Sequence, residues 1–266
     1  MNKKKHYEHM PARFQRPSIT TIIGLTAFVT LFILGVTHAQ LSFDRIFSGI
    51  TNMLRFLSSA FPPDPSRITA ISNAMYETFQ IALVGTAIGV VLSVPIALLA
   101  STNTSPHFSI RVITRGIVST LRTIPDLIWA LIFVISVGLG PLAGILTIIV
   151  DTIGFCARFF SERIEEIQKG PSQALESTGA TKIGVISGSI IPLGFPSFVA
   201  TSLFAVEKSI RSAVVLGLVG AGGIGVELST SFTLRRYDEA LMIVILILVV
   251  VIIVEQISSA IRKKVI

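Results

Sequence analysis

Few side chains in this sequence carry reactive chemistry, and their placement excludes most of what such groups do. His6, His9, His38 and His107 have no cysteine or carboxylate partners at metal-ligand spacing, and no Ser/His/Asp set assembles around them. The single cysteine, Cys156, lies in an apolar block, which excludes a disulfide framework and a cysteine-rich metal site. Gly220-Ala221-Gly222-Gly223-Ile224-Gly225 fits G-x-G-x-x-G. The dinucleotide fingerprint also needs a preceding strand, a βαβ unit and an acidic residue about twenty positions on. That context is missing, and close helix approach is the alternative use of these glycines. No G-x-x-x-x-G-K-[ST] occurs, so ATP has no P-loop here. Catalysis has no visible carrier.

What remains is a set of charges inside apolar blocks: Arg122, Asp126, Asp151, Glu207, Lys208 and Arg211. Charge in hydrocarbon is costly unless paired or wetted, so each is a candidate for function. Arg122 and Asp126 are four apart, which on one helix puts them on one face. They form either a self-neutralising pair or a site where Arg122 assists an oxyanion, as guanidinium does for phosphate-like groups. Asp151, flanked by Thr147, Thr152 and Gly154, either answers Arg122 or Arg158 or lines a pathway. Glu207, Lys208 and Arg211 are expected at the outer end of a span, as a basic mouth for an anion or as interfacial anchors. Glu77 is expected at the start of a helix, where the dipole favours an acid.

The elements that must position these groups are membrane spans. Hydrophobic residues make up 51% of the 266, charged residues 14%, and mean hydropathy is +0.77. A soluble domain carries roughly a quarter charged residues. Apolar blocks occur at 18–37, 78–100, 115–139, 141–160, 183–206 and 240–255, giving about six crossings. The first follows a basic start; a retained anchor fits its length better than a cleaved signal. The net charge of +7 lies beside these blocks, which makes it an orientation signal rather than a nucleic-acid surface. With the N-terminus inside, inner segments hold fourteen Lys and Arg against seven outside, favouring both termini in the cytoplasm. Phe43, Ile46, Phe47, Ile50, Met53, Leu54, Leu57 and Phe61 form a helical stripe ended by Pro62-Pro63-Asp64-Pro65. That pattern predicts an amphipathic helix on the outer membrane surface. Ala213–Gly225 is apolar, glycine-rich and short, and is expected to be re-entrant, with Gly217, Gly220, Gly222, Gly223 and Gly225 serving as a gate or bend.

Between the fourth and fifth blocks a charged stretch leads into Gly170-Pro171-Ser172-Gln173-Ala174-Leu175-Glu176-Ser177-Thr178-Gly179. Pro171 suits a first turn and Gly179 an end, predicting a helix of about two turns under the membrane. With Pro192 at its spacing, this resembles the coupling loop of ABC-importer permeases: Glu-Ala-Ala, three residues, Gly, nine residues, Ile, one residue, Leu-Pro. Ala174, Gly179 and Pro192 match; Gln173 replaces Glu, Leu175 the second Ala, and Ser189 the Ile. Ile210 to Gly225, Phe61-Pro62-Pro63-Asp64 and Val137-Gly138-Leu139-Gly140-Pro141 with Gly144 resemble phosphonate-type permeases in particular.

The resemblance implies an all-α integral membrane protein with the ABC type I importer permease fold. It divides the chain into a basic cytoplasmic tail (1–17), a first transmembrane helix (18–37), an extracytoplasmic amphipathic segment (41–70), an ABC-permease domain (75–258) with a coupling loop at 161–182, and a basic cytoplasmic tail (259–266). It implies a bacterial inner-membrane homodimer surrounded by lipid, an extracytoplasmic binding protein, and two ATPase subunits that hold ATP and Mg and dock at Gln173, Ala174, Leu175, Glu176 and Gly179. This chain would bind no cofactor and would pass a phosphonate or related phosphorus oxyanion. A stand-alone secondary carrier gives no reason for the loop ending at Gly179, and a polytopic membrane enzyme lacks its cluster of catalytic groups.

Overall fold

A computed structural model describes residues 17–39 and 42–265, and helices are the only regular structure among them. The basic residues of the N-terminal tail, with His6 and His9, lie outside the described residues. The chain divides into two compact units between Ser58 and Ser59. The first holds α1 (Ile19–His38) and nearly all of α2 (Phe43–Ala60). Ser18 starts α1 by accepting a hydrogen bond from the Thr21 backbone N–H at 3.3 Å. No residue of α1 is buried by protein, so its apolar surface is left for lipid. The expected stripe of α2 is present as a continuous exposed apolar face from Phe43 to Leu57.

The second unit opens with a turn in which Asp64 accepts from Ser66 N and Oγ, each at 2.8 Å. Those bonds stabilise the carboxylate and hold its pKa below the ordinary aspartate range. Then come α3 (Ile68–Ala100), α4 (Phe108–Thr123), α5 (Asp126–Val137), α6 (Pro141–Glu166) and α7 (Lys169–Ser177). They are followed by α8 (Lys182–Val185), a π turn (Ile186–Ile190), α9 (Ile191–Gly217), α10 (Ile224–Thr233) and α11 (Tyr237–Val265). Pro192 cannot donate to the carbonyl of Gly188, and the ladder widens to π spacing just ahead of it. The run Lys182–Gly217 remains one span of 36 residues.

The centre of this unit is a parallel pair, α3 against α6. Gly85, Gly89, Ser93 and Ala97 recur every fourth residue on α3 and are buried. A Cβ on Gly85 would stand 2.8 Å from Ile148 Cβ, and one on Gly89 2.6 Å from Thr152 Cβ. Lipid gives two apolar helices little reason to associate, so close backbone approach through small residues supplies the dispersion contact that does. Around this pair, Ile71, Met75, Ile81, Ile148, Ile210, Leu216 and Ile243 form one buried cluster. Phe160, Ile164, Ile190 and Phe198 form a second toward the end bearing α7.

Among the described residues five helical runs are long and apolar enough to cross a membrane, and the bent pair α4 and α5 makes a sixth when counted as one span. The third apolar block is therefore not the single helix expected over 115–139: α4 and α5 meet at 90°. Pro125 explains the break, because it pushes Ile124 into extended geometry (ψ 120°) and donates no N–H. Ala213–Gly225 is also divided differently from expectation. Its first five residues end α9, the irregular backbone is confined to 218–223, and α10 begins at Ile224.

Candidate functional site

The loop at 161–182 is built from local rules. Gly179 adopts φ +82°, its N–H donates to Glu176 O at 3.0 Å, and Ala180 N–H reaches back to Leu175 O at 3.2 Å. That pair of bonds is a Schellman cap, which satisfies the last carbonyls of α7 and favours glycine at its left-handed position. Thr181 starts the next helix by accepting from Gly184 N at 3.3 Å. On α7, Gln173, Ala174 and Glu176 are exposed, as is Gly179 beyond its end. Leu175 turns inward, and a Cβ on Gly188 would stand 3.3 Å from its Cδ1. Ser172 Oγ and Ser189 Oγ lie 3.2 Å apart. Ser189, one of the three departures from the coupling-loop pattern, thus meets this helix from the π turn beside Gly188. A small cavity of about 180 Å³ behind α7 is lined by Asn103, Lys169, Gln173 and Glu176 among others.

The glycine turn at the opposite end is pinned rather than loose. Gly223 begins α10 without a capping side chain, and α3 supplies the missing acceptors. Thr78 Oγ1 accepts from Ile224 N at 2.7 Å and Glu77 Oε1 from Gly223 N at 3.2 Å. Glu77 does meet a helix N-terminus, but that of α10; it lies well inside α3 rather than at its start. Gly140 N donates to Gly220 O at 2.9 Å. A Cβ on Gly225 would stand 2.1 Å from Val214 O, and one on Gly217 2.7 Å from Gly225 Cα, so α9 and α10 cross backbone to backbone. Gly222 (φ +87°) sits against Pro141 and Glu77. Sequence spacing identified these glycines but not their partners, of which Glu77 and Thr78 lie 146 residues from the groups they cap.

The intramembrane charges pair differently from expectation. Arg122 ends α4 and Asp126 begins α5, so the break separates them and no ion pair joins them among the described residues. Asp126 Oδ1 instead accepts its neighbour's N–H, Leu127 N, at 3.0 Å. Arg122 is exposed and packs across α6, where a Cβ on Gly154 would stand 3.0 Å from its Cγ. Asp151 answers neither Arg122 nor Arg158 but Lys208, whose Nζ donates to both carboxylate oxygens at 2.7 Å. Arg158 pairs with Glu162 along its own helix. Lys208 also lies 5.3 Å from the Phe155 ring centroid. Glu207, itself buried, accepts from Arg211 at 2.9 Å and faces Arg262 of α11 at 3.7 Å.

Glu207, Lys208 and Arg211 lie within α9 rather than at its end. Lys208 lies about 14 Å along the helix from Gly217, and Asp151 about 15 Å from Pro141, by the helical rise. Both partners therefore lie well inside long apolar helices rather than at their ends.

Residues 89–266 match the family described as binding-protein-dependent transport system inner membrane component. The phosphite transport system permease protein PtxC of Stutzerimonas stutzeri is 34% identical over 218 residues, covering 82% of this chain and 79% of that protein. The phosphate-import permease protein PhnE of Mycolicibacterium smegmatis is 33% identical over 221 residues, covering 82% of this chain and 41% of that protein. Among solved structures, a chain of the MetNI methionine ABC transporter superposes with a TM-score of 0.68 at 20% identity, covering 76% of this chain and 99% of that one, a likeness of fold alone. On the family match and the PtxC identity together, this chain belongs to the inner membrane components of binding-protein-dependent transport systems.

Proposed function

We propose that this permease subunit carries a phosphorus oxyanion, such as phosphite, phosphate or a phosphonate, inward across the bacterial inner membrane. Two copies form the pathway, an extracytoplasmic binding protein delivers the anion, and two ATPase subunits holding ATP and Mg drive the cycle from the cytoplasmic side. The observation that carries the coupling is α7, capped at Gly179, with Gln173, Ala174 and Glu176 free to enter a groove on a partner. ATPase closure displaces α7 and, through Leu175 and Ser172, the long helix that begins at Lys182, so that packed elements switch as rigid bodies. Both termini lie in the cytoplasm, consistent with the basic end of α11 at Arg262, Lys263 and Lys264. Arg122, Asp126, Asp151, Glu207, Lys208 and Arg211 are the polar groups offered to the pathway, and the 218–223 turn is its outer closure.

The substrate class rests on the relatives named for phosphite and phosphate transport and on cations that suit a tetrahedral oxyanion. Uptake by proteoliposomes holding the permease, its ATPase and its binding protein tests the reading. Phosphite, phosphate or methylphosphonate should accumulate only with internal ATP. Uptake at full rate without ATP, or of none of the three, overturns it. Cross-linking of two tagged copies within one assembled complex should succeed if the pathway is a homodimer.

A further inference from the structure

The geometry points to the Asp151–Lys208 pair as an exchangeable lock, in which the Asp151 carboxylate occupies the place on Lys208 that the transported oxyanion takes in transit. This rests on the oxyanion reading above.

Three observations separate this pair from an ordinary structural salt bridge. It lies well inside two apolar helices yet is not sealed: the Lys208 side chain is 34% exposed and that of Asp151 22%. Charge in such a position cannot be turned to hydrocarbon without a large cost, so its open side faces water or a partner rather than lipid. Next to it on α9, Glu207 is only 9% exposed and is held by two arginines, Arg211 and Arg262. That neighbouring cluster ties α9 to α11. Lys208 has one carboxylate partner and a flexible stem, with the Phe155 face beside it as a resting surface.

The third observation is Arg122. It packs over Gly154, three residues along α6 from Asp151 and about one turn away by the helical rise. It is exposed and has no carboxylate partner among the described residues. Three residues apart on α6, Asp151 and Gly154 lie within about 60° of each other around the helix, so the Arg122 stem packs beside the face that carries Asp151. An oxyanion that displaces Asp151 from Lys208 comes within reach of Arg122, and the return of Asp151 expels it. The pathway then carries its own competitor. Resting affinity is low because Lys208 is already neutralised, and neither cation becomes a trap.

The experiment uses the complete complex in nanodiscs and in proteoliposomes, with phosphite and methylphosphonate as probes. D151N should raise binding of radiolabelled phosphite, without ATP or binding protein, at least tenfold over wild type, and should slow ATP-driven uptake by a similar factor. K208Q should lose uptake, and D151N/K208Q should not recover it. A merely structural pair predicts the reverse, since removing both charges at once relieves the unpaired partner. Wild-type uptake by D151N/K208Q, or unchanged phosphite binding by D151N, overturns the lock. If D151N fails to assemble, K208R carries the test: it keeps the charge, so a lock predicts a shifted KM for uptake with ATPase activity retained, and an unchanged KM counts against it. Failure of the wild-type complex to take up any phosphorus oxyanion sinks the underlying reading instead, and so is a distinguishable result.

Discussion

At the scale of single residues, the contacts that matter are those in which a hydrogen atom stands where a side chain would not fit, or one helix completes another. Gly89 is the clearest of the first kind, since its missing Cβ lets α3 lie against Thr152. Gly89→Ala should destabilise the second unit by about 1–3 kcal/mol through overpacking, read as a lower melting temperature of the detergent-solubilised protein. Gly24→Ala in α1, where nothing lies within 4 Å, should leave it unchanged or slightly higher. Thr78 is the second kind. Thr78→Val removes the acceptor for Ile224 N and should cost about 1–2 kcal/mol, as losing an N-cap does. Glu77→Gln keeps an acceptor for Gly223 N and loses only charge at the α10 N-terminus, so its cost should be smaller, roughly 0.3–1 kcal/mol. Equal melting losses for the two would refute the cap assignment.

At the scale of elements, legibility followed how local each determinant is. Pro171 and Gly179 marked both ends of α7 because a cap involves only neighbouring residues. The α4–α5 break also has a local cause in Pro125, but the 115–139 block was long and apolar enough to mask it. Hydropathy counts residues without regard to direction, and so it put Arg122 and Asp126 on one helix face. The pairing of Asp151 with Lys208 was not readable at all, because it depends on how α6 and α9 are rotated about their axes. The every-fourth-residue run of Gly85, Gly89, Ser93 and Ala97 was a signal present in the sequence that hydropathy alone does not weigh. The α7 cap leads to its own prediction. A Cβ at Gly179 meets open space, so the penalty there is left-handed backbone alone. Gly179→Asn, which tolerates that conformation, should keep ATP hydrolysis tied to uptake, whereas Gly179→Val should raise the ATP consumed per anion moved. Equal ratios for the two would place the coupling contact elsewhere.

At the scale of the whole second unit, polar ties join helices at both ends of the bundle as well as along α9. At the glycine-turn end Arg67 reaches Glu227 at 3.1 Å and Glu239 at 3.5 Å, which joins the start of α3 to α10 and α11. At the α7 end, Arg115 of α4 pairs closely with Glu165 of α6 and donates from Nε to Ala100 O at 2.8 Å. Glu165 also accepts from Thr102 N at 2.6 Å, so one carboxylate fixes the exit of α3, the middle of α4 and the end of α6. Under the coupling proposed for α7, this junction is where its displacement would reach α3, α4 and α6 together. Glu165→Gln keeps an acceptor for Thr102 N but removes the ionic attraction. The group is partly exposed, so after allowance for screening the loss should be roughly 1 kcal/mol. Salt distinguishes this from lost packing. Raising ionic strength shortens the Debye length below about 10 Å and weakens the wild-type pair. The melting gap between wild type and Glu165→Gln should therefore narrow as salt rises. A gap that stays constant from low to high salt would mean that the junction is held by the Ser101, Asn103 and Arg115 bonds to backbone carbonyls, and that its charge is incidental.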